Sequence, residues 1–220
     1  MNDTDPSTPQ LVHLTGHARI ESPPREDGYR PICDPLWVWA ALAGAPSRTE
    51  SLLVLTAARR LDAGHLQIER VRDGINRLQS GTPPLGSPAG RAVMHEVIGD
   101  AELAIIALDA AITIAVSLTG RYRVTAGLPA LVGRKQTLVR NLRDHYSHVK
   151  ERALGYVPED RDVRFEDAFN FDALINDREY TEGADSLGID AEATELIVAT
   201  RDYLVRVWTE LVARAARGSA

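Results

Sequence analysis

The chain has 220 residues, of which 44% are hydrophobic and 25% charged, a composition suited to one domain with a full hydrophobic core. Its formal net charge of -6 argues against a protein that coats nucleic acid through overall electrostatic attraction. The single cysteine, Cys33, excludes an internal disulfide and a thiolate metal site, in agreement with a reducing compartment.

The first 46 residues predict a tail followed by an extended arm, because they hold seven of the twelve prolines. Residues 11–14 and 18–20 are expected to form short strands. Neither a positively charged region nor an apolar stretch of the signal-peptide kind is present, so we expect a cytoplasmic protein. Trp37 and Trp39 are either an interface anchor or, as is more usual, a closure of the core.

A helical-bundle domain is predicted over residues 47–217. Its first helix begins at a capping box formed by Ser47 and Glu50 and runs to about Gln79. An apolar seam at helical spacing predicts which face is buried. The members of that seam are Val54, Ala58, Leu61, His65, Ile68 and Ile75.

The second helix is predicted to begin with Ser87 as its cap and Pro88 at its first position. Within an apolar run over residues 101–118, residues 103–118 are apolar on nearly every side, so this helix is expected to be the most enclosed one. Glu102 and Asp109 interrupt the apolar run, which favours a buried helix over a membrane span.

An acidic insertion is predicted over residues 155–190, after a third helix over residues 131–154 whose inward stripe is Leu131, Leu138, Leu142, His145 and Val149. Within the insertion we expect a small β-hairpin that pairs residues 169–175 with residues 179–189. A final helix follows Asp190 as its cap and continues to about residue 216, with Leu196, Tyr203, Leu204, Val207, Trp208 and Leu211 facing inward. The predicted fold class is therefore all-α: an antiparallel four-helix bundle with an N-terminal extended arm and a small β-hairpin before the last helix.

Charge is distributed unevenly along the chain. Residues 121–152 hold eight basic residues and two acids, a balance of +6, whereas residues 158–192 hold twelve acids and three arginines, a balance of -9. Two explanations are open. Two solvated faces attract each other within the fold, or a local phosphate-attracting surface is shielded by the acidic segment.

Reactive side chains are densest in the third helix, in the segment RNLRDHYSH over residues 140–148. Arg140 is followed by Asn141 and, after three residues, by His145. The same spacing recurs three residues later in Arg143, Asp144 and His148, so that two matches are nested.

This pattern resembles the signature of the HEPN superfamily, helical-bundle proteins of prokaryotic toxins, defence systems and RNA-processing factors. The resemblance implies a metal-independent endoribonuclease, a toxin or phage-defence component, in which two protomers join their motifs across a homodimer interface. It also implies RNA as the substrate, with a protein inhibitor or regulatory partner. Arg140, Asn141 and His145 would be catalytic, with Arg143, Asp144, His148 and Tyr146 as second candidates.

The chemistry of the segment fits RNA cleavage without a metal. A histidine with a pKa near 6.5 exchanges protons at neutral pH, and arginine offers a fixed fork of donors to phosphate oxygens. However, residues five apart on a helix point about 140° away from each other, so Arg140 and His145 of one chain do not face one point. The hypothesis therefore needs either a local break in the helix or a second protomer.

Two alternatives compete with this interpretation. A metal could lie between helices, held by His145, His148, His65 and Asp109, although His65 is more simply a hydrogen-bonded residue of the seam. Without a metal, Asp109 is expected either to bond to a neighbouring helix or to pair with an arginine such as Arg140, because an unpaired buried carboxylate is costly. No cofactor is expected, since the sequence lacks a glycine-rich phosphate loop and a nucleophile elbow.

The second alternative is a non-catalytic dimeric helical module that binds a regulatory partner. The two functions differ in what they predict for the site. Catalysis requires Arg140, His145 and His148 in a cleft at a dimer interface, whereas a structural role pairs these side chains within the fold.

Overall fold

The protein is mostly helical. The computed structural model describes residues 10–14, 17–21, 24–26, 28–33, 36, 48–122, 124–147, 170–182 and 184–218. Helices α1 (Arg48–Gln79), α2 (Pro88–Arg121), α3 (Ala130–Ser147) and α4 (Ala191–Gly218) account for most of these residues.

The predicted strands of the arm are present. Strands β1 (Gln10–Leu14) and β2 (His17–Glu21) form an antiparallel pair with Leu11 opposite Ile20. A second pair, β3 (Glu179–Glu182) and β4 (Asp185–Gly188), precedes α4.

The hairpin before α4 differs from its predicted register. Strand β3 pairs with β4, and residues 173–177 form a π-helical segment instead of a strand. Phe171, Leu174 and Ile175 have the i, i+3, i+4 spacing of a helical turn, which brings Leu174 into the core. Arg178, with φ 55°, then redirects the chain into β3.

Helix α2 begins where the sequence predicts. The Ser87 hydroxyl accepts a hydrogen bond from the backbone N–H of Gly90 at 3.0 Å, and Pro88 occupies the first turn. The predicted capping residue of α1, Ser47, lies outside the described residues.

Helices α1 and α2 form an antiparallel hairpin. Gly64 packs beside Ala107 and Gly74 beside Val97, so positions that increase along α1 meet positions that decrease along α2. The apolar seam predicted for α1 is buried throughout, as are all six inward residues predicted for α4. Burial of these stripes in the shared core removes apolar surface from water, which is the main force holding the helices together.

Helix α2 is the one helix among the described residues with enough length and apolar character to cross a membrane. Half of its apolar window is buried inside the protein. Asp109, in the middle of that window, is also buried. Core helices of soluble proteins can reach the same length and apolar character.

Candidate functional site

The candidate segment lies on α3, which is a continuous α-helix from Ala130 to Ser147. Over positions 130–144, whose side chains are described, Val132, Val139 and Leu142 are buried, whereas Leu131 and Leu138 are only half-buried. The sequence predicted burial of Leu131 and Leu138, so the helix is turned from its predicted orientation by about one position. This rotation decides which polar side chains reach the interior.

Arg140 lies on the surface. Its side chain is exposed, and it forms no ion pair with any other residue that the structure describes. Asn141, the next residue, is half-buried. The guanidinium of Arg140 therefore has donors available for an anion from outside.

Arg143 is bound within the protein. Its Nη1 lies 3.3 Å from Oδ2 of Asp109 on α2, and its Nη2 lies 2.5 Å from Oδ1 of Asp144. The Asp109 side chain is only 8% exposed, so the contact with Arg143 supplies the opposite charge that burial demands.

The predicted pairing of Asp109 with Arg140 is therefore wrong, and Arg143 takes that place. The reason is helical phase. Arg143 follows the buried Val139 by four residues, which is about 40° around the helix, whereas Arg140 follows it by one residue, about 100° away.

The Asp109–Arg143 contact leaves two polar atoms unused. Oδ1 of Asp109 and Nε of Arg143 are buried, and neither has a hydrogen-bond partner among the described atoms. The pair thus fixes α3 against α2 by charge, with incomplete hydrogen bonding.

The two nested motif matches now differ. The second match relies on Arg143, whose charge is already opposed by two carboxylates, Asp109 and Asp144. The first match relies on the exposed Arg140. His145 and Tyr146 lie in α3, but their side chains are outside the description, as is the whole of His148.

The described residues contain no group of three or more His, Cys, Asp and Glu that could hold a metal. Of the four residues considered for a metal site, Asp109 is engaged by Arg143. His65 is 4% exposed, and its ring stacks on that of Tyr29 with centroids 3.8 Å apart. His65 is thus a packed residue of the seam.

A cluster of hydrogen-bond donors surrounds Asp62, and the sequence did not predict it. Its carboxylate accepts the hydroxyl of Tyr29 at 2.7 Å and the backbone N–H groups of Ile32 and Cys33 at 3.2 Å and 2.9 Å. Burial raises the pKa of Asp62 more than these hydrogen bonds lower it. The cluster holds the segment around Tyr29 against α1. The sequence holds one signal for this cluster. Asp62 lies among the apolar seam residues of α1, where a carboxylate requires hydrogen-bond donors.

The described part of the acidic segment pairs with basic side chains of the fold. Glu192 forms an ion pair with Lys135 of α3, and Asp190 accepts Nε of Arg72 at 3.1 Å. These contacts favour the explanation of two faces that attract each other within the fold.

An open groove of about 590 Å³ follows the outer seam between α1 and α2. Its charges are mixed: Arg70 lies 4.0 Å from Asp100, and Arg77 lies 3.9 Å from Glu96. Distances of this length mark weak pairs, and three of the four side chains are more than half exposed.

Comparison with protein-family models, curated proteins and solved structures found no match. The residues of the chain and their geometry are therefore the basis on which its function is inferred.

Proposed function

We propose that the protein is a HEPN-like, metal-independent endoribonuclease that acts on RNA as a cytoplasmic homodimer. Arg140, Asn141 and His145 form its site, and a toxin or phage-defence role with a cognate inhibitor or regulatory partner accompanies the activity. The proposal includes the arrangement of α1 to α4 as an antiparallel four-helix bundle.

One observation carries the choice of site. Of the two arginines that begin a motif match, Arg143 is held by Asp109 and Asp144, whereas Arg140 is exposed. An exposed guanidinium binds a phosphodiester without first breaking an internal ion pair. This favours the match that begins at Arg140.

In the proposed reaction, a histidine takes the proton from the ribose 2′-hydroxyl, whose oxygen attacks the adjacent phosphorus. The bond to the 5′-oxygen breaks, and that oxygen receives a proton from the second histidine, leaving a cyclic phosphate and a 5′-hydroxyl. Arg140 stabilises the charge on the phosphoryl oxygens, and Asn141 orients the imidazole of His145.

The continuous helix makes the second protomer necessary. Since α3 has no break between residues 140 and 145, these two positions of a single chain lie about 140° apart around the helix. Two chains together supply two arginines and two histidines, enough for both proton transfers.

The alternative function is a non-catalytic dimeric helical module with a regulatory partner. The second motif match favours it, because Arg143 is already paired with Asp109 and Asp144 within the protomer. In that case Arg140 contributes only to the surface charge of α3.

The test compares wild-type protein with Arg140→Ala and His145→Ala on a mixed RNA substrate in EDTA. We expect each variant to lose at least about a hundredfold in cleavage rate, the usual contribution of a positioned acid–base or charge-stabilising group. Arg134→Ala is the matched control, because it removes an exposed arginine from the same helix.

The proposal fails if EDTA abolishes cleavage, or if Arg140→Ala and Arg134→Ala cleave equally fast. Absence of cleavage by wild-type dimer on single-stranded, structured and transfer RNA would favour the non-catalytic module.

A further inference from the structure

A stripe of small and apolar side chains lies on the outward face of α2. Its members recur at intervals of three and four residues, and we call it the α2 outer stripe: Gly99, Leu103, Ile106, Ala110, Thr113 and Ser117. Leu103 is 51% exposed, Thr113 and Ser117 are exposed, and Ile106 and Ala110 are half-buried. No segment that the structure describes packs over this stripe.

Neighbouring helices define the orientation of the stripe. On one side, Ala104 and Ala107 face α1 at Gly64; on the other, Asp109 contacts α3 through Arg143. Around the helix, Ala104 and Asp109 lie about 100° and 120° to either side of Leu103. Helix α4 packs behind α2, where the hydroxyl of Tyr203 reaches the carbonyl of Ala115 at 3.3 Å. The stripe therefore forms the middle of a broad outer face made by α1, α2 and α3.

The two ends of the stripe differ in charge: acids and arginines balance at the N-terminal end, whereas the C-terminal end has an arginine that no described acid opposes. Glu96 and Asp100 lie at its N-terminal end, where their partners Arg77 and Arg70 are only weakly held at 3.9 Å and 4.0 Å. Arg121 lies at its C-terminal end, 18 residues or about five turns after Leu103, and is exposed. The guanidinium of Arg121 rests 5.9 Å from the centre of its neighbour Tyr122 and opposes no carboxylate in the described residues.

We infer that the α2 outer stripe is the docking surface for a second copy of this chain, with the two α2 helices antiparallel and a two-fold axis near Ala110. In this orientation Arg121 of each copy meets the weakly paired carboxylates of Glu96 and Asp100 on the other copy, since positions 99 and 121 are equally far from position 110. A parallel orientation instead places like charges together, which is unfavourable.

The size of the face suits a dimer. The stripe spans about 27 Å at 1.5 Å per residue, and the flanking helices at 8–10 Å spacing widen the face to about 20 Å. Length times width gives a flat area on the order of 500 Å², to which protruding side chains add. This is of the same order as the roughly 800 Å² that each partner buries in a standard interface. Glycine and alanine at positions 99 and 110 allow close approach of the two helices.

This dimer also brings the two proposed sites together, a consequence that rests on the proposed function. A two-fold axis across antiparallel α2 helices places each α3 beside the partner's α3. Arg143 contacts Asp109, next to the axis at Ala110, and Arg140 is one turn away from Arg143. Two arginines near one axis repel each other unless an anion lies between them, which a phosphodiester supplies.

Cysteine cross-linking tests the position of the axis. In a Cys33→Ser background, Ala110→Cys places the same thiol on both copies at the axis, so mild oxidation is expected to give a disulfide-linked dimer. Val198→Cys is the matched control, because Val198 is 42% exposed on α4, behind the core. We expect that variant to remain uncross-linked. Equal cross-linking of both variants, or of neither, overturns the proposed surface.

Charge reversal tests the orientation. Arg121→Glu is expected to raise the dimer dissociation constant at least about tenfold, measured by sedimentation equilibrium, because it faces the partner's acids. Adding Asp100→Arg restores an opposite-charge pair only in the antiparallel dimer, so the double variant should recover most of the affinity. Failure of the double variant to recover affinity contradicts the antiparallel arrangement.

The outcomes separate this surface from the proposed activity. A wild-type protein that is monomeric at all accessible concentrations rejects the surface, whether or not it cleaves RNA. A dimer that cross-links at position 110 but cleaves no RNA keeps the surface and rejects the ribonuclease.

Discussion

At the scale of single residues, the contact between Asp109 and Arg143 has the largest energetic consequence on α3. A buried carboxylate is tolerated only when an opposite charge or several donors meet it. Asp109 has one such charge, since Oδ2 meets Arg143 while Oδ1 has no described partner. Removing Arg143 therefore leaves a carboxylate that is neither hydrated nor paired.

We predict that Arg143→Ala lowers the free energy of unfolding by about 2 kcal/mol, a value reduced for the partial exposure of Arg143. Arg140→Ala is expected to change it by less than about 0.5 kcal/mol, because Arg140 is a surface residue. Replacing both members of the pair, Asp109→Leu with Arg143→Met, should restore stability to within about 1 kcal/mol of wild type. Urea unfolding of the four proteins measures these values, and equal losses for Arg140→Ala and Arg143→Ala would refute the assignment.

The Asp62 cluster leads to a pH-dependent prediction. Burial raises the pKa of Asp62 above its ordinary value of 3.8, so the folded protein holds this proton more tightly than the unfolded chain does. The resulting contribution to stability is complete below that ordinary value and is lost as pH rises through the folded pKa.

Asp62→Asn removes the titration and keeps one oxygen acceptor. The difference in free energy of unfolding, wild type minus Asp62→Asn, should therefore fall as pH rises from about 4 to 7. Guanidinium unfolding at several pH values measures the difference, and titrations common to both proteins cancel. A difference that grows with pH would mean that the bonds from Tyr29, Ile32 and Cys33 outweigh burial.

The sequence predicted that Asp109 pairs with an arginine, but the predicted Arg140 is not its partner; Arg143 is. Leu131, Leu138 and Leu142 suggested one buried face of α3, while Val132, Val139 and Leu142 define the actual one. A shift of one residue corresponds to a rotation of about 100° around the helix. Because the two apolar rows lie side by side on α3, tertiary packing decides which of them is buried. The partners of Asp62 were beyond sequence analysis, because they lie about thirty residues away in an arm without periodic pattern.

At the scale of elements, the α1–α2 hairpin depends on close approach at one glycine. A Cβ at Gly74 would lie 2.2 Å from Cγ2 of Val97, a contact that requires Val97 to move. Valine is β-branched and has one preferred side-chain rotamer in a helix, so it yields poorly. Gly99, on the outer face of the same hairpin, has open space where a Cβ would be.

We predict opposite effects of alanine at these two glycines. Gly74→Ala should destabilise the protein by about 1–2 kcal/mol, because overpacking exceeds the gain in helix propensity. Gly99→Ala should stabilise the isolated protomer by up to about 1 kcal/mol. Thermal unfolding compares them, and addition of Val97→Ala to Gly74→Ala is expected to recover part of the loss. A stabilising Gly74→Ala would show that the helices separate at little cost.

Element positions were predictable where local chemistry determines them. The Ser87 cap and Pro88 start α2 as expected, and the turn after Gln79 ends α1. The hairpin register was not predictable from turn-forming residues alone, because Asn176 and Asp177 are turn formers that here belong to a π-helical segment. The π-helical segment forms in place of a turn because it allows Leu174 and Tyr180 to pack in the core.

At the scale of the whole molecule, the net charge of -6 conceals an ordered distribution. Lys135 and Arg72 tie the acidic segment to the fold through Glu192 and Asp190. On the outer face, in contrast, Glu96 is only weakly paired with Arg77, and Arg121 opposes no carboxylate among the described residues. The inner charges stabilise one protomer, while the outer ones would orient a second protomer in the proposed dimer.

If the outer face joins two protomers, folding and association are linked, and the stability of the protein depends on its concentration. Each tenfold increase in concentration adds about 1.4 kcal/mol to the unfolding free energy of the dimer, which for a dimer of this size raises Tm by about 1–2 °C. Calorimetry over a hundredfold range of concentration should therefore show a rise of about 2–4 °C for wild type. Leu103→Lys should abolish that dependence, whereas Val198→Lys, at a comparably exposed position on α4, should keep it. A Tm that is independent of concentration in all three proteins would show that the protomer folds and remains alone.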